Sequence, residues 1–132
     1  MKANELKIKN WVLENKNGND CYAQVKGITL VDAENTNCII ETKYQTTPIE
    51  YISPIPLTEE ILLKCGFKVT YRSEYTLRLT HIKYTRLGVG WNLVNKHLSV
   101  RYGAEHFTHI KHLHSLQNIY WCLCGEELEI NL

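Results

Sequence analysis

The sequence predicts an α+β fold with an N-terminal SH3-like set of β strands, a short helix, a second antiparallel sheet and a C-terminal helix. Three observations predict it. Apolar and polar residues alternate within segments of residues 5–45 and again over 67–107, which is the period of half-buried strands. Between them, Thr58 precedes Glu59-Glu60-Ile61-Leu62-Leu63-Lys64-Cys65 and Gly66 follows, the punctuation of a capped helix. Near the C-terminus, Leu113, Leu116, Tyr120 and Leu123 recur at helical spacing and form one apolar stripe.

Taken in order, Leu6/Ile8 and Trp11/Leu13 alternate with a slip of phase, as in one strand with a bulge near Lys9 and Asn10. The polar string Glu14–Asp20 reads as a turn, and Tyr22–Val31 as a second strand bent or bulged at Gly27. Residues 32–37 turn the chain into a strand over 38–42. Pro48, Pro54 and Pro56 lie in 46–57, a connector expected to end the first set of strands because proline donates no ladder hydrogen bond. In the capped helix, Leu57 and Leu62 have the spacing of a hydrophobic staple, and Glu59 and Glu60 lie at the positive end of the dipole.

Beyond it, Phe67/Val69/Tyr71 and Tyr75/Leu77/Leu79 predict two strands. Arg86-Leu87-Gly88-Val89-Gly90 reads as a turn, and 91–95 with 98–102 as a final pair. The C-terminal helix is expected to stop at Gly125 and lead into a short strand. At 132 residues the whole chain, 1–132, fits a single domain, β-rich over 1–47, with helix, sheet and C-terminal helix over 57–132.

Composition narrows the function classes. Hydrophobic content of 44% with 22% charged residues is that of a globular protein. Fifteen basic and fourteen acidic side chains leave a net charge of +1, without the overall excess usual for a phosphate-binding surface. No stretch of apolar residues is long enough to span a bilayer, and no secretory leader is read at the N-terminus. Five cysteines, an odd number without scaffold spacing, point to reduced thiols and a cytoplasmic setting.

Three segments carry a resemblance. Residues 4–12, Asn-Glu-Leu-Lys-Ile-Lys-Asn-Trp-Val, resemble an NELRIGNYV opening. Residues 54–67, Pro-Ile-Pro-Leu-Thr-Glu-Glu-Ile-Leu-Leu-Lys-Cys-Gly-Phe, resemble PIPLTEEWLLKFGF. His114-Ser115-Leu116-Gln117-Asn118-Ile119-Tyr120, with Gly125-Glu126-Glu127-Leu128, resembles VHQLQNLYFALTGEEL. Together they resemble a family of small uncharacterised proteins encoded by Bacteroidetes phages, prophages and mobile elements. The resemblance covers about a quarter to a third of the chain and implies a source and a shared fold, with no catalytic residues to carry over. The chain departs from the pattern at Ile61, Cys65, Cys122 and Cys124.

Two groups of residues compete as the functional site. Four of six histidines and two of five cysteines fall in residues 106–124. Helical geometry sends His112 and His114, and likewise Cys122 and Cys124, to different faces, and neither a CxxC pair nor HExxH is present. No metal site is therefore assigned. The polar side of this helix leaves His114, Asn118 and Trp121 as a surface candidate. The second group is the segment 68–102, where aromatics interleave with bases and Glu74 is the sole acid. Arg72, Arg78, Arg86, Trp91 and Arg101 are its candidate ligand-binding residues, of the types that hold phosphates and stack bases. Gly88-Val89-Gly90 is read as a tight hairpin turn, because a phosphate loop needs a strand–loop–helix setting. Cys65 at a helix C-terminus is a poor nucleophile, since the dipole there disfavours a thiolate.

The sequence thus points to a non-enzymatic accessory protein, active in the host cytoplasm, that binds a host protein or sequesters a small anionic, nucleotide-like ligand. Counter-defence is the role that the resemblance, by analogy of origin, implies. A nucleic-acid-binding module is the alternative and a zinc protein the third reading. No cofactor and no membrane partner are implied, and oligomerisation is left open.

Overall fold

The computed structural model describes residues 1–32 and 37–132, and the turn expected between Asp32 and Asn37 lies outside the described residues. The architecture is α+β: among the described residues eleven strands form three antiparallel sheets, with a short helix after the sixth strand and a second helix after the last. The chain divides into two compact units: residues 1–56 with 112–119, and residues 57–111 with 120–132. No helix among the described residues is long and apolar enough to cross a membrane.

The first unit opens with a 3-10 turn at Ala3–Glu5, followed by β1 (Trp11–Lys16) and β2 (Asn19–Gln24). A single strand from Leu6 through Leu13 does not form, because Lys9 takes a left-handed φ of +78° and breaks the extension. The β1–β2 turn is only Asn17-Gly18, both at positive φ, the backbone of a type I′ hairpin. That places Glu14 inside the strand rather than in a turn. It is fully buried beside Val12's face, and Thr42 Oγ1 donates to its carboxylate at 2.9 Å.

The strand expected over 22–31 divides at Val25-Lys26 into β2 and β3 (Gly27–Leu30). Next come β4 (Cys38–Glu41), β5 (Thr46–Pro48) and β6 (Ile52–Ser53). The proline-bearing segment is therefore not a bare connector. Pro48 is tolerated because β5 is an edge strand, paired with β4 alone. Where an SH3-like set of strands is expected, the structure has two three-stranded sheets, ordered β2-β1-β6 and β3-β4-β5. Val12, Val25, Ile40 and Ile52 form the centre of the unit's core.

The second unit begins with α1 (Glu59–Lys64). The Ile61 amide donates to Thr58 Oγ1 at 3.2 Å, the expected cap, and Gly66 at φ +85° ends the helix. Five strands follow in the order β11-β10-β9-β8-β7: β7 (Phe67–Arg72), β8 (Thr76–His81), β9 (Leu87–Asn92), β10 (His97–Tyr102) and β11 (Glu105–Phe107). Leu77 and Leu79 of β8 are buried as their alternation predicts. In β7 only Phe67 is, since this is an edge strand with a register shift between Val69 and Tyr71. The turn expected at Arg86–Gly90 is a strand, pairing with β8 on one side and β10 on the other.

Helix α2 (Leu113–Cys124) runs from the first unit into the second. Leu113, Leu116 and Tyr120 of its predicted stripe are buried. Gly125 at φ +72° stops it as expected, but the tail that follows forms no strand. Within the second unit Tyr120 packs on His81 and Tyr84, with ring centroids 5.2 and 5.6 Å apart.

Candidate functional site

The five-stranded sheet builds the best-formed site, and strand parity decides its membership. Leu79 pairs with Val89 and Val89 with Val100, all buried, so these residues define the covered face. One residue along each strand lies the opposite face: Arg78 against Gly90, Gly90 against Ser99, and Gly88 against Arg101. Arg101 in turn pairs with His106 on β11, and Thr76 and His97 flank Asn92. Side chains alternate strictly in a pleated sheet, so these groups share one surface.

Gly88 and Gly90 leave the middle strand of that surface without side chains. The result is a groove floored by backbone and walled by β8 and β10, with a volume of about 260 Å³. Its lining includes Arg78, Arg101, Ser99, Thr76, His97 and His106, and no carboxylate. A Cβ built on Gly88 would meet Arg101 Nε and the Leu79 carbonyl oxygen, each at 3.2 Å, so the Arg101 side chain leans over the floor. Arg78 lies over the Tyr71 ring at 5.6 Å, and Tyr71 is itself half exposed. Neither guanidinium has a carboxylate partner among the described residues. Two unneutralised planar cations facing one groove are suited to bidentate binding of phosphate or carboxylate oxygens.

The other candidates fall elsewhere. Arg72 is ion-paired with Glu59 and belongs to the opposite face through its pairing with Leu77. Arg86 is stacked over Tyr102 at 5.3 Å and does not line the groove. Trp91 pairs with Leu77 and Leu98, both buried, so its indole is directed to the covered face although the residue also borders the groove.

The surface candidate on α2 requires a correction. His114 is 2% exposed, not on a solvated side, and it stacks on His112 with centroids 5.8 Å apart. Burial first, and then His112, push its pKa below the ordinary imidazole value. Asn118 is committed to structure: it accepts from Asn10 Nδ2 at 2.9 Å and donates to the Glu5 carbonyl oxygen at 3.1 Å. Trp121 alone of the three is exposed, in the second unit.

Other reactive groups are placed by their surroundings. Burial pushes the Cys65 thiol up to about 12 and also raises Cys38 and Cys124. His81 is held neutral by burial, and its Nδ1 accepts the Lys83 and Tyr84 amides at 3.2 and 3.1 Å. Glu126 ties the C-terminal tail to Lys83 at 2.6 Å, which lowers the carboxyl pKa. Among the described residues no group of three or more His, Cys, Asp or Glu side chains is arranged to hold a metal ion.

His97 and the two glycines belong to the basic segment read from the sequence, whereas Ser99 and His106 join the groove only through strand pairing. The signal was present. Glycines two apart, flanked on both sides by alternating strands, mark a strand whose one face is bare. Comparisons with protein-family models, with curated proteins and with solved structures find no match to the chain.

Proposed function

We propose that this is a non-enzymatic accessory protein of phage or mobile-element origin that sequesters a small anionic, nucleotide-like ligand in the glycine-floored groove. One observation carries the reading: Arg78 and Arg101, without carboxylate partners among the described residues, wall a concavity whose floor is backbone. Ser99 and Thr76 add hydroxyls, His97 and His106 add ring nitrogens, and Tyr71 beside Arg78 offers an exposed face for a base. Burial pushes the Cys65 and Cys38 thiols up, which makes those two poor nucleophiles. The origin rests on the three sequence segments that resemble the phage-encoded family, and counter-defence by sequestration is the role that fits both.

Titration of fluorescently labelled nucleoside mono- and diphosphates tests it. Saturable binding that weakens with salt, with the ligand recovered chemically unchanged, is expected. The R78A/R101A double variant should lose roughly tenfold or more in affinity, the scale of one charge-assisted contact. R72A, whose guanidinium already serves Glu59, should bind as the wild type does. Equal affinity in the double variant, or conversion of the ligand, overturns the reading.

A further inference from the structure

We infer that the ligand is a short single-stranded oligonucleotide, whose chain continues from the groove around the end of the sheet into a second basic cavity. The inference rests on the anion-binding reading of the groove and deepens it. A second concavity of about 540 Å³ lies at the β9–β10 end of the same unit. The two cavities share Trp91 and His97, so they adjoin. The second is unlike the first in chemistry. Trp91, Leu57 and Leu98 give it an apolar and aromatic wall, and Lys96 and Lys111 give it cations.

Neither lysine has an ion-pair partner among the described residues, and both are exposed. Lys96 holds a φ of +58°, a conformation glycine or asparagine would adopt more easily, in a hairpin fixed by Asn92 Oδ1 accepting the Val94 and Asn95 amides. Among the described residues no carboxylate lines either cavity.

An arginine groove on one face, an indole-walled basic cavity at the strand end, and a histidine between them form a track with bends. A monophosphate fills only one part of it. A duplex is too stiff and too wide to follow it, whereas a single strand can place phosphates on successive cations and a base against the indole.

The test compares labelled nucleoside monophosphate, dinucleotide, tetranucleotide and a hairpin duplex by fluorescence anisotropy. Affinity should rise about tenfold or more from monophosphate to tetranucleotide, with a steeper dependence on salt for the longer ligand. Lys96→Asn with Lys111→Gln should bring the tetranucleotide back to monophosphate affinity, and asparagine keeps the left-handed backbone. Quenching of Trp91 fluorescence by the tetranucleotide, scored against a Trp11→Phe/Trp121→Phe background, gives an independent readout. Affinity independent of length, or a duplex bound as tightly as the tetranucleotide, overturns the inference and leaves the anion groove standing. Failure of every ligand to bind overturns both.

Discussion

Gln117 Oε1 accepts the Trp11 amide at 2.8 Å while its Nε2 donates to the Lys9 carbonyl oxygen at 3.1 Å. One buried side chain of α2 thus takes the place of a strand at the point where Lys9 breaks the extended chain. Asn118 does the same one residue on, through Asn10 and Glu5. Two segments distant in sequence, residues 4–12 and 114–120, are therefore hydrogen-bonded to each other.

Replacing Gln117 by Leu should keep the volume and lose both bonds. The Trp11 amide then has no side-chain partner while the Lys9 carbonyl oxygen keeps Gln24 Nε2 at 3.0 Å, and unfolding by urea should show a loss of about 1–3 kcal/mol. A loss within the scatter of surface substitutions would mean that water replaces Gln117 without cost.

Stability should fall with acid through His114. Its folded pKa is lowered by burial and then by stacked His112, against an opposing pull from Glu5, whose Oε2 is 3.9 Å from Nε2, with the N-terminal amine lowering it least. The unfolded chain therefore binds a proton more readily, so stability is full above the ordinary imidazole value of about 6.5 and declines as pH falls through the folded value. His81, also lowered, acts in the same direction. His114 Nδ1 has no hydrogen-bond partner among the described residues, so His114→Leu should change stability at neutral pH by less than about 1 kcal/mol. Thermal melts from about pH 7.5 to about pH 5 should show a shallower acid decline in that variant; an unaltered slope would assign the effect to other groups.

Gly88→Ala should damage the groove without unfolding the sheet. The added methyl meets the Leu79 carbonyl oxygen and Arg101 Nε, and of the two only the arginine can swing away. Nucleotide affinity should drop by roughly the cost of a lost charge-assisted contact, about 1.5 kcal/mol, with circular dichroism retained. Gly90→Ala, whose Cβ lies at an ordinary 3.4 Å from Ser99 Oγ, should have the weaker effect. The reverse order, read from the same titrations, would place the ligand nearer Ser99.

Alkylation should separate the cysteines. Cys122 is exposed, whereas Cys65 is buried with its pKa pushed up to about 12 and Cys38 is buried and raised. Peptide mass mapping after brief iodoacetamide treatment at neutral pH should find Cys122 modified first, and Cys38 and Cys65 only on denaturation. Early labelling of Cys65 would show that α1 opens readily.

Features set within a few residues were legible in the sequence. The Thr58 cap, the Gly66 and Gly125 stops and the buried Leu113, Leu116 and Tyr120 all follow from side-chain chemistry and helical period, as does the α+β class. The segment 68–102 was likewise recognisable as locally basic, because charge is a property of composition. Tertiary structure decided which of its bases act together. Arg78 and Arg101 share one face with Gly88 and Gly90 because β8, β9 and β10 pair in one register, and a slip of one residue would send either arginine to the covered face. The same pairing made a strand of the Gly-Val-Gly turn, and packing against residues far away in sequence buried His114, which helical period alone had placed in solvent. Local chemistry fixes where elements start and stop; pairing between distant strands fixes which faces are covered, and that pattern is not written in any single segment.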